Sequence, residues 1–166
     1  MKINVSGVMG SVTSSIEADG EVDYPIINYN GSDIRTTSPI KVHVLVENSG
    51  KGLKLNGKLS ANLMLSCSRC LEDFDYLLET DFEEELTNKD KDDDGDAIHF
   101  EGDTVDLTDI VVDNILLSLP MKALCREDCK GLCPQCGCNL NIKECNCSQK
   151  NVDPRFSVLK DLLKDD

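Results

Sequence analysis

From residue 40 the chain alternates between apolar and polar positions. Ile40, Val42, Val44 and Val46 stand between Lys41, His43, Leu45 and Glu47, the two-residue period of a half-buried strand. Asn48-Ser-Gly-Lys-Gly52 then marks a turn. Leu53, Leu55, Leu59, Ala61, Leu63 and Leu65 share one face of a long strand, with Gly57 in register where a bulge or bend would fit. Beyond a Cys67-Ser-Arg-Cys70 turn the alternation returns in Phe74, Tyr76, Leu78, Thr80, Phe82 and Leu86, with Glu84 as its one exception. The pattern predicts a long antiparallel hairpin carrying Cys67 and Cys70 at or near its tip. Strands of this length twist and curl, which predicts a strongly curved sheet or an open barrel.

The period then changes. Leu107, Ile110, Val111 and Ile115 make one helical face, and Val112, Leu116 and Leu119 widen it, predicting a helix over 107–119 buried on most sides. Asp106 or Thr108 can cap its start and Pro120 ends it. A last short helix is predicted from Asp153, with Pro154 in its first turn and Phe156, Leu159 and Leu163 as its apolar stripe. At about ten residues it is too short to stand alone and is expected to dock on the rest of the chain. The first 39 residues carry less signal. Ile3 and Val5 alternate as a short strand would, and Asn28 to Ser38, closing on Pro39, reads as a polar, turn-rich loop. The expectation is a single α+β domain over 1–166, mainly antiparallel. It comprises an acidic β-rich body (1–120) with one buried helix, a cysteine-rich segment (121–150) and a C-terminal helix (151–166).

Composition sharpens this picture. With 166 residues and 40% hydrophobic content the chain suits one domain with a real core, and without Trp and with few aromatics that core must be aliphatic. No stretch approaches the roughly 18 apolar residues of a membrane span. The start lacks the apolar run of a secretory signal, so the cytoplasm is the expected compartment. The formal charge is −14 and unevenly spread: residues 1–119 hold 9 basic against 24 acidic side chains, residues 120–166 hold 8 against 7. Such a body is repelled by nucleic-acid phosphates, which weighs against broad RNA or DNA binding. Nine of the acidic residues lie between Asp81 and Asp96, and the stretch from Asn88 to Asp96 is expected to be a solvated, mobile loop. That run lacks the flanking helices and the closing Glu of a calcium loop.

Eight of the nine cysteines form four close pairs, and this is the strongest chemical signal. Cys133-Pro-Gln-Cys136 and Cys145-Asn-Cys147 are two short turns separated by eight residues, a spacing that lets them face each other. A tetrahedral, redox-inert ion such as zinc takes four thiolates about 2.3 Å away. Cys67 and Cys70 could complete a second site with Cys125 and Cys129, leaving Cys138 over. A competing partition puts Cys129 or Cys138 in the first site and leaves Cys67 and Cys70 as a free dithiol. One or two zinc ions are therefore expected.

Enzymatic readings find little support. The histidines, His43 and His99, stand in no metal-ligand or catalytic spacing, and no phosphate loop, dinucleotide fingerprint or nucleophile elbow occurs. A thiol oxidoreductase using Cys67 and Cys70 is the best alternative, but such dithiols usually open a helix in a βαβ unit. A DNA-binding zinc ribbon is disfavoured by the charge and by the lack of a basic recognition helix.

Several segments together resemble the YceD family, bacterial and plastid proteins named for large ribosomal RNA subunit accumulation. They are Ser38-Pro-Ile-Lys-Val42, Cys67-Ser-Arg-Cys70-Leu-Glu72, Asp106-Leu-Thr-Asp-Ile-Val111 running into Leu119-Pro-Met-Lys122, Cys129-Lys-Gly-Leu-Cys133-Pro-Gln-Cys136-Gly137, Asn139-Leu-Asn141 and Asp153-Pro-Arg-Phe156. Some members of that family keep the Cys-x-Arg-Cys turn while lacking the later cysteines, which suits two separate clusters; Cys138 stands where a non-cysteine is expected. The resemblance implies a non-catalytic role in producing or stabilising large-subunit ribosomal RNA. Joined to the charge, it implies a basic ribosomal protein or assembly factor as partner, and no DNA, membrane or small-molecule substrate. Contact with that partner or with precursor RNA is expected from Lys122, Arg126, Lys130 and Lys143, joined by Arg69; an ion pair of Arg69 with Glu72 or Asp73 is the competing expectation.

Overall fold

The computed structural model describes residues 1–29, 31–50, 52–88 and 97–147. In chain order the elements are β1 (Lys2–Asn4), α1 (Ser6–Met9), β2 (Ser15–Val22), β3 (Ile26–Tyr29), β4 (Ser32–Thr36), β5 (Ile40–Asn48), β6 (Leu53–Ser66), β7 (Asp73–Thr87), β8 (Ile98–His99), β9 (Thr104–Asp106) and α2 (Thr108–Ser118).

The centre of the main sheet is β6. One of its edges pairs first with β5 and then, past the end of that strand, with β4 through Thr36↔Leu63 and Arg35↔Met64. Its other edge pairs with β7 along the whole hairpin, from Leu53↔Leu86 to Ser66↔Asp73. Strand β2 lies outside β5, β3 outside β4, and β8 joins the end of β7 as a parallel pair in an otherwise antiparallel sheet. Among the described residues no pairing closes this order into a barrel: the sheet is open.

Alternation in sequence becomes alternation in burial. Ile40, Val42, Val44 and Val46 of β5 and Leu53, Leu55, Leu59, Ala61, Leu63 and Leu65 of β6 are all buried on one face. Against that face sit Val5 and Val8 around α1, Ile3 and Val105 of the small β1–β9 pair, and Leu107, Ile110, Val111 and Ile115 of α2, in one aliphatic cluster. Each such Val, Leu or Ile side chain contributes about 1.5–3 kcal/mol on leaving water. The opposite face is left to solvent. There β7 presents Asp73, Asp75, Glu79, Asp81, Glu83 and Glu85, partly answered by Lys54 on Glu83 (2.7 Å) and Lys58 on Asp81 (3.9 Å).

Two sequence expectations at the hairpin are refined. Gly57 makes no bulge, because the β6–β7 register runs through it without a break and sets it opposite Phe82. The Phe82 ring lies over Gly57 where a β-carbon would stand. Glu84, the polar exception on the inner face, accepts a hydrogen bond from Asn114 Nδ2 of α2 (2.9 Å).

Helix α2 begins at Thr108 with Leu107 as its N-cap, so neither Asp106 nor Thr108 caps it; Asp106 Oδ1 instead closes the turn before the helix, accepting from Thr108 N (3.0 Å) and its hydroxyl (2.7 Å). These bonds, the hydroxyl's first, hold the Asp106 carboxyl below its ordinary range, helped by the nearby N-terminal ammonium. The helix is buried along one face with half-buried flanks; Leu117 points outward and is 81% exposed.

The expected loop at 28–38 is instead largely the β3–β4 hairpin. It turns at Gly31 (φ +82°) and buries Ile27 against its partner Ile34. The acidic run at 89–96 and the C-terminal helix from Asp153 lie outside the described residues. Among those described, no helix is long and apolar enough to cross a membrane.

Candidate metal centres

The β6–β7 tip folds around its first cysteine. Cys67 N donates to the carbonyl of Glu72 and Leu71 N to that of Cys67, both at 2.9 Å, and Leu71 takes a left-handed conformation (φ +60°) to close the turn. Ser68 N then donates to Ala123 O (2.8 Å), which lays the chain after α2 across the tip. This brings Cys125 and Cys129 over Cys67 and Cys70. The four sulfurs lie within 4.8 Å of one another, with Cys67···Cys129 and Cys70···Cys125 both at 3.8 Å. Sulfurs placed about 2.3 Å from a central ion at tetrahedral angles stand about 3.8 Å apart, so this cluster fits a tetrahedral thiophilic ion. A disulfide would need about 2.05 Å, and all nine cysteines are free.

The second cluster gathers Cys133, Cys136, Cys145 and Cys147, again within 4.8 Å. Its first turn is closed by Cys133 N to Cys138 O (2.8 Å) and Gly137 N to Cys133 O (2.9 Å), with Gly137 left-handed at φ +69°. A bridge between Leu132 and Asn139 turns the chain back toward Cys145. Of the two partitions open in the sequence, the structure assembles the four-plus-four one. Cys138 belongs to neither set but lies beside Cys136 and Cys145.

Both clusters are electrostatically uneven. Backbone N–H groups, that of Cys125 first, lower Cys67 to about 6, while burial and the neighbouring sulfurs push Cys125 up to about 12. In the second cluster the N–H groups of Cys136 and Gln135 lower Cys133 to about 6. Contact with Cys136, then burial, pushes Cys147 up to about 12. Once one thiol has ionised, its negative charge holds the protons on the others. A divalent cation at the centre removes that conflict and lets all four ionise. The donor set therefore fits a metal dication.

The clusters are joined through the hairpin tip. Arg69 O accepts from Leu132 N (3.0 Å), and Gly131 (φ +74°) lies so close that a β-carbon there would stand 2.9 Å from that oxygen. Arg69 Nη1 donates to the carbonyls of Glu127 (3.1 Å) and Cys129 (2.9 Å), so its side chain braces the cysteine turn and forms no ion pair with Glu72 or Asp73. Arg126 pairs with Asp128 (3.4 Å) and donates to Asn141 Oδ1 (2.7 Å). Lys122, Lys130 and Lys143 are exposed, and among the described residues none of their ammonium groups is held by a carboxylate. His43 lies between Glu17 (3.2 Å) and Asp19 (2.8 Å) on the solvent face, and His99 is half-buried on β8; neither is near a cluster. Sequence reasoning missed the bracing roles of Arg69 and Asn141. The Asn139-Leu-Asn141 triplet set between cysteine turns was the available signal.

Fold and site together define a mainly antiparallel β protein with one cysteine cluster at the tip of its longest hairpin and a second in the segment that follows α2, both able to hold metal. The chain belongs to the family described as large ribosomal RNA subunit accumulation protein YceD, whose family model matches residues 55–163. It is 35% identical over 155 residues to YlbN of Bacillus subtilis, covering 92% of this chain and 90% of the relative. A Mycobacterium tuberculosis protein is 31% identical over 123 residues, covering 71% of this chain and 59% of its own length. The chloroplastic large ribosomal RNA subunit accumulation protein YCED homolog 1 of Arabidopsis thaliana is 28% identical over 156 residues, covering 75% of this chain and 49% of its own. The chain thus spans most of the Bacillus relative and only about half to three-fifths of the other two. No solved structure matches it.

Proposed function

We propose that this protein is a non-catalytic factor in the accumulation of large-subunit ribosomal RNA, with a zinc ion held structurally in each cysteine cluster. One observation carries the zinc part: four sulfurs from two distant stretches of chain meet with 3.8 Å spacings. Zinc supplies a closed tetrahedral clamp there, fixing the 121–147 segment to the tip. Four cysteine ligands leave no open coordination position for a substrate, which supports a structural role. The ribosomal part rests on family membership.

The partner we favour is a basic ribosomal protein or assembly factor of the large subunit. The net charge of −14 and the acidic outward row of β7 support it, and the same charge disfavours DNA. Lys122, Lys130 and Lys143 remain the side chains best suited to a local contact with precursor RNA. Crosslinking a tagged copy in cells tests the assignment: large-subunit proteins or assembly factors should be recovered, and recovery of metabolic enzymes alone would defeat it.

One observation favours a second reading. The lowered Cys67 thiol is what a redox dithiol needs. However, Cys67 faces Cys129 and Cys70 faces Cys125, an arrangement suited to ligation. Rapid alkylation of Cys67 and Cys70 in zinc-loaded protein would favour redox chemistry; protection until a chelator is added favours ligation.

A further inference from the structure

We propose that Asn141 couples the two cysteine clusters, so that an ion in the second raises the affinity of the first; this rests on the zinc reading above. Asn141 sits on the eight-residue segment between Cys136 and Cys145, which an ion in the second cluster would close into a fixed loop. Its side chain points back to the first cluster. Asn141 Nδ2 donates to the sulfur of Cys129 (3.3 Å), and Oδ1 accepts from Lys130 N (2.8 Å) and Arg126 Nη2 (2.7 Å). The amide is itself held in place: Asn139 Oδ1 accepts from Asn141 N (3.0 Å) and Nδ2 (2.9 Å), and Asn139 Nδ2 donates to Glu72 Oε1 (3.4 Å) on the hairpin. Leu140 N donates to Gly131 O (2.9 Å) from the same loop.

A hydrogen bond donated to a ligand sulfur fixes its orientation and offsets part of the charge it carries in a metal site. Its strength depends on the amide staying where it is, and the second cluster's loop provides that. Hydrogen bonds to metal ligands from such outer residues are commonly worth 10–100-fold in affinity. Thermodynamic reciprocity requires that an ion in the first cluster favour the second by the same factor.

The test uses full-length, reduced, metal-free protein in chelator-buffered Zn2+. Alkylation is read peptide by peptide, so that protection of Cys125 and Cys129 reports the first cluster alone. Asn141→Ala should weaken the first cluster by about 10-fold or more. Emptying the second cluster with Cys145→Ser and Cys147→Ser should do the same. Combining all three changes should weaken it no further, because they remove one shared bond. Asn141→Asp serves as a second variant: it keeps the acceptor for Lys130 N and Arg126 but puts a carboxylate oxygen against the sulfur, and should lose at least as much affinity. Additive losses, or wild-type affinity in the Asn141→Asp variant, would overturn the coupling. Two ions bound independently would defeat the coupling alone, whereas no uptake of Zn2+ at either cluster would defeat the zinc reading itself.

Discussion

Arg69 and Cys129 stand 60 residues apart in sequence, yet the guanidinium of the first donates to the carbonyl oxygen of the second at 2.9 Å. The same nitrogen reaches Glu127 O, so one side chain holds the turn that delivers a cysteine to the first cluster. A charged donor on a partly buried carbonyl contributes about 1.5–3 kcal/mol. Arg69→Ala should therefore lower the stability of the zinc-loaded protein by roughly 1–2 kcal/mol after discounting for solvent exposure, read as a fall in Tm. An unchanged Tm would return Arg69 to the role of a pure surface contact.

The Gly57–Phe82 relationship makes a second prediction. Gly57→Ala places a methyl group where the Phe82 ring lies, and overpacking of this kind costs about 1–3 kcal/mol. Adding Phe82→Leu should make the double change less harmful than the sum of the two single ones. Strict additivity in chemical denaturation would contradict the ring-over-glycine arrangement.

The lowered thiols set a pH dependence. In reduced, metal-free protein, Cys67 and Cys133 should alkylate with a midpoint near pH 6, while Cys125 and Cys147 stay slow up to about pH 12. Burial of Cys67 slows its rate and opposes the lowering without reversing it. The sign follows from folded values below the ordinary thiol value near 9. The stabilisation from these two thiolates is full above pH 9 and is lost as pH falls toward 6. Zinc should suppress alkylation at all four positions. A common midpoint between pH 8 and 9 for every thiol would contradict the cluster electrostatics.

What the sequence disclosed depended on how strongly each element marks itself. Strands β5, β6 and β7 and helix α2 bury long aliphatic side chains at regular intervals, and their periods are plain in the chain. Strand β2 turns Ile16, Ala18 and Gly20 to its half-buried side, too little apolar surface to register. The two residues of β8 are a strand only because Leu86 and Thr87 lie beside them. The grouping of the cysteines was legible because close pairs leave few partitions. The bonds from Arg69 and Asn141 were not, because they depend on a tertiary closure: Arg69 meets Cys129, 60 residues on, and Asn141 folds back on Cys129 across the intervening cysteine turn. Gly57 was noticed as special, but whether it bends the strand or admits a ring is decided by residue 82.

Metal content bears most directly on the central claim. Full-length protein purified under reducing conditions should carry two zinc ions per chain by elemental analysis. Cys136→Ser and Cys129→Ser should each leave about one ion and lower the thermal stability, since a structural zinc contributes on the order of 10 kcal/mol to folding. Protein that is metal-free yet as heat-stable as the zinc-loaded form, with every thiol open to alkylation, would contradict the account.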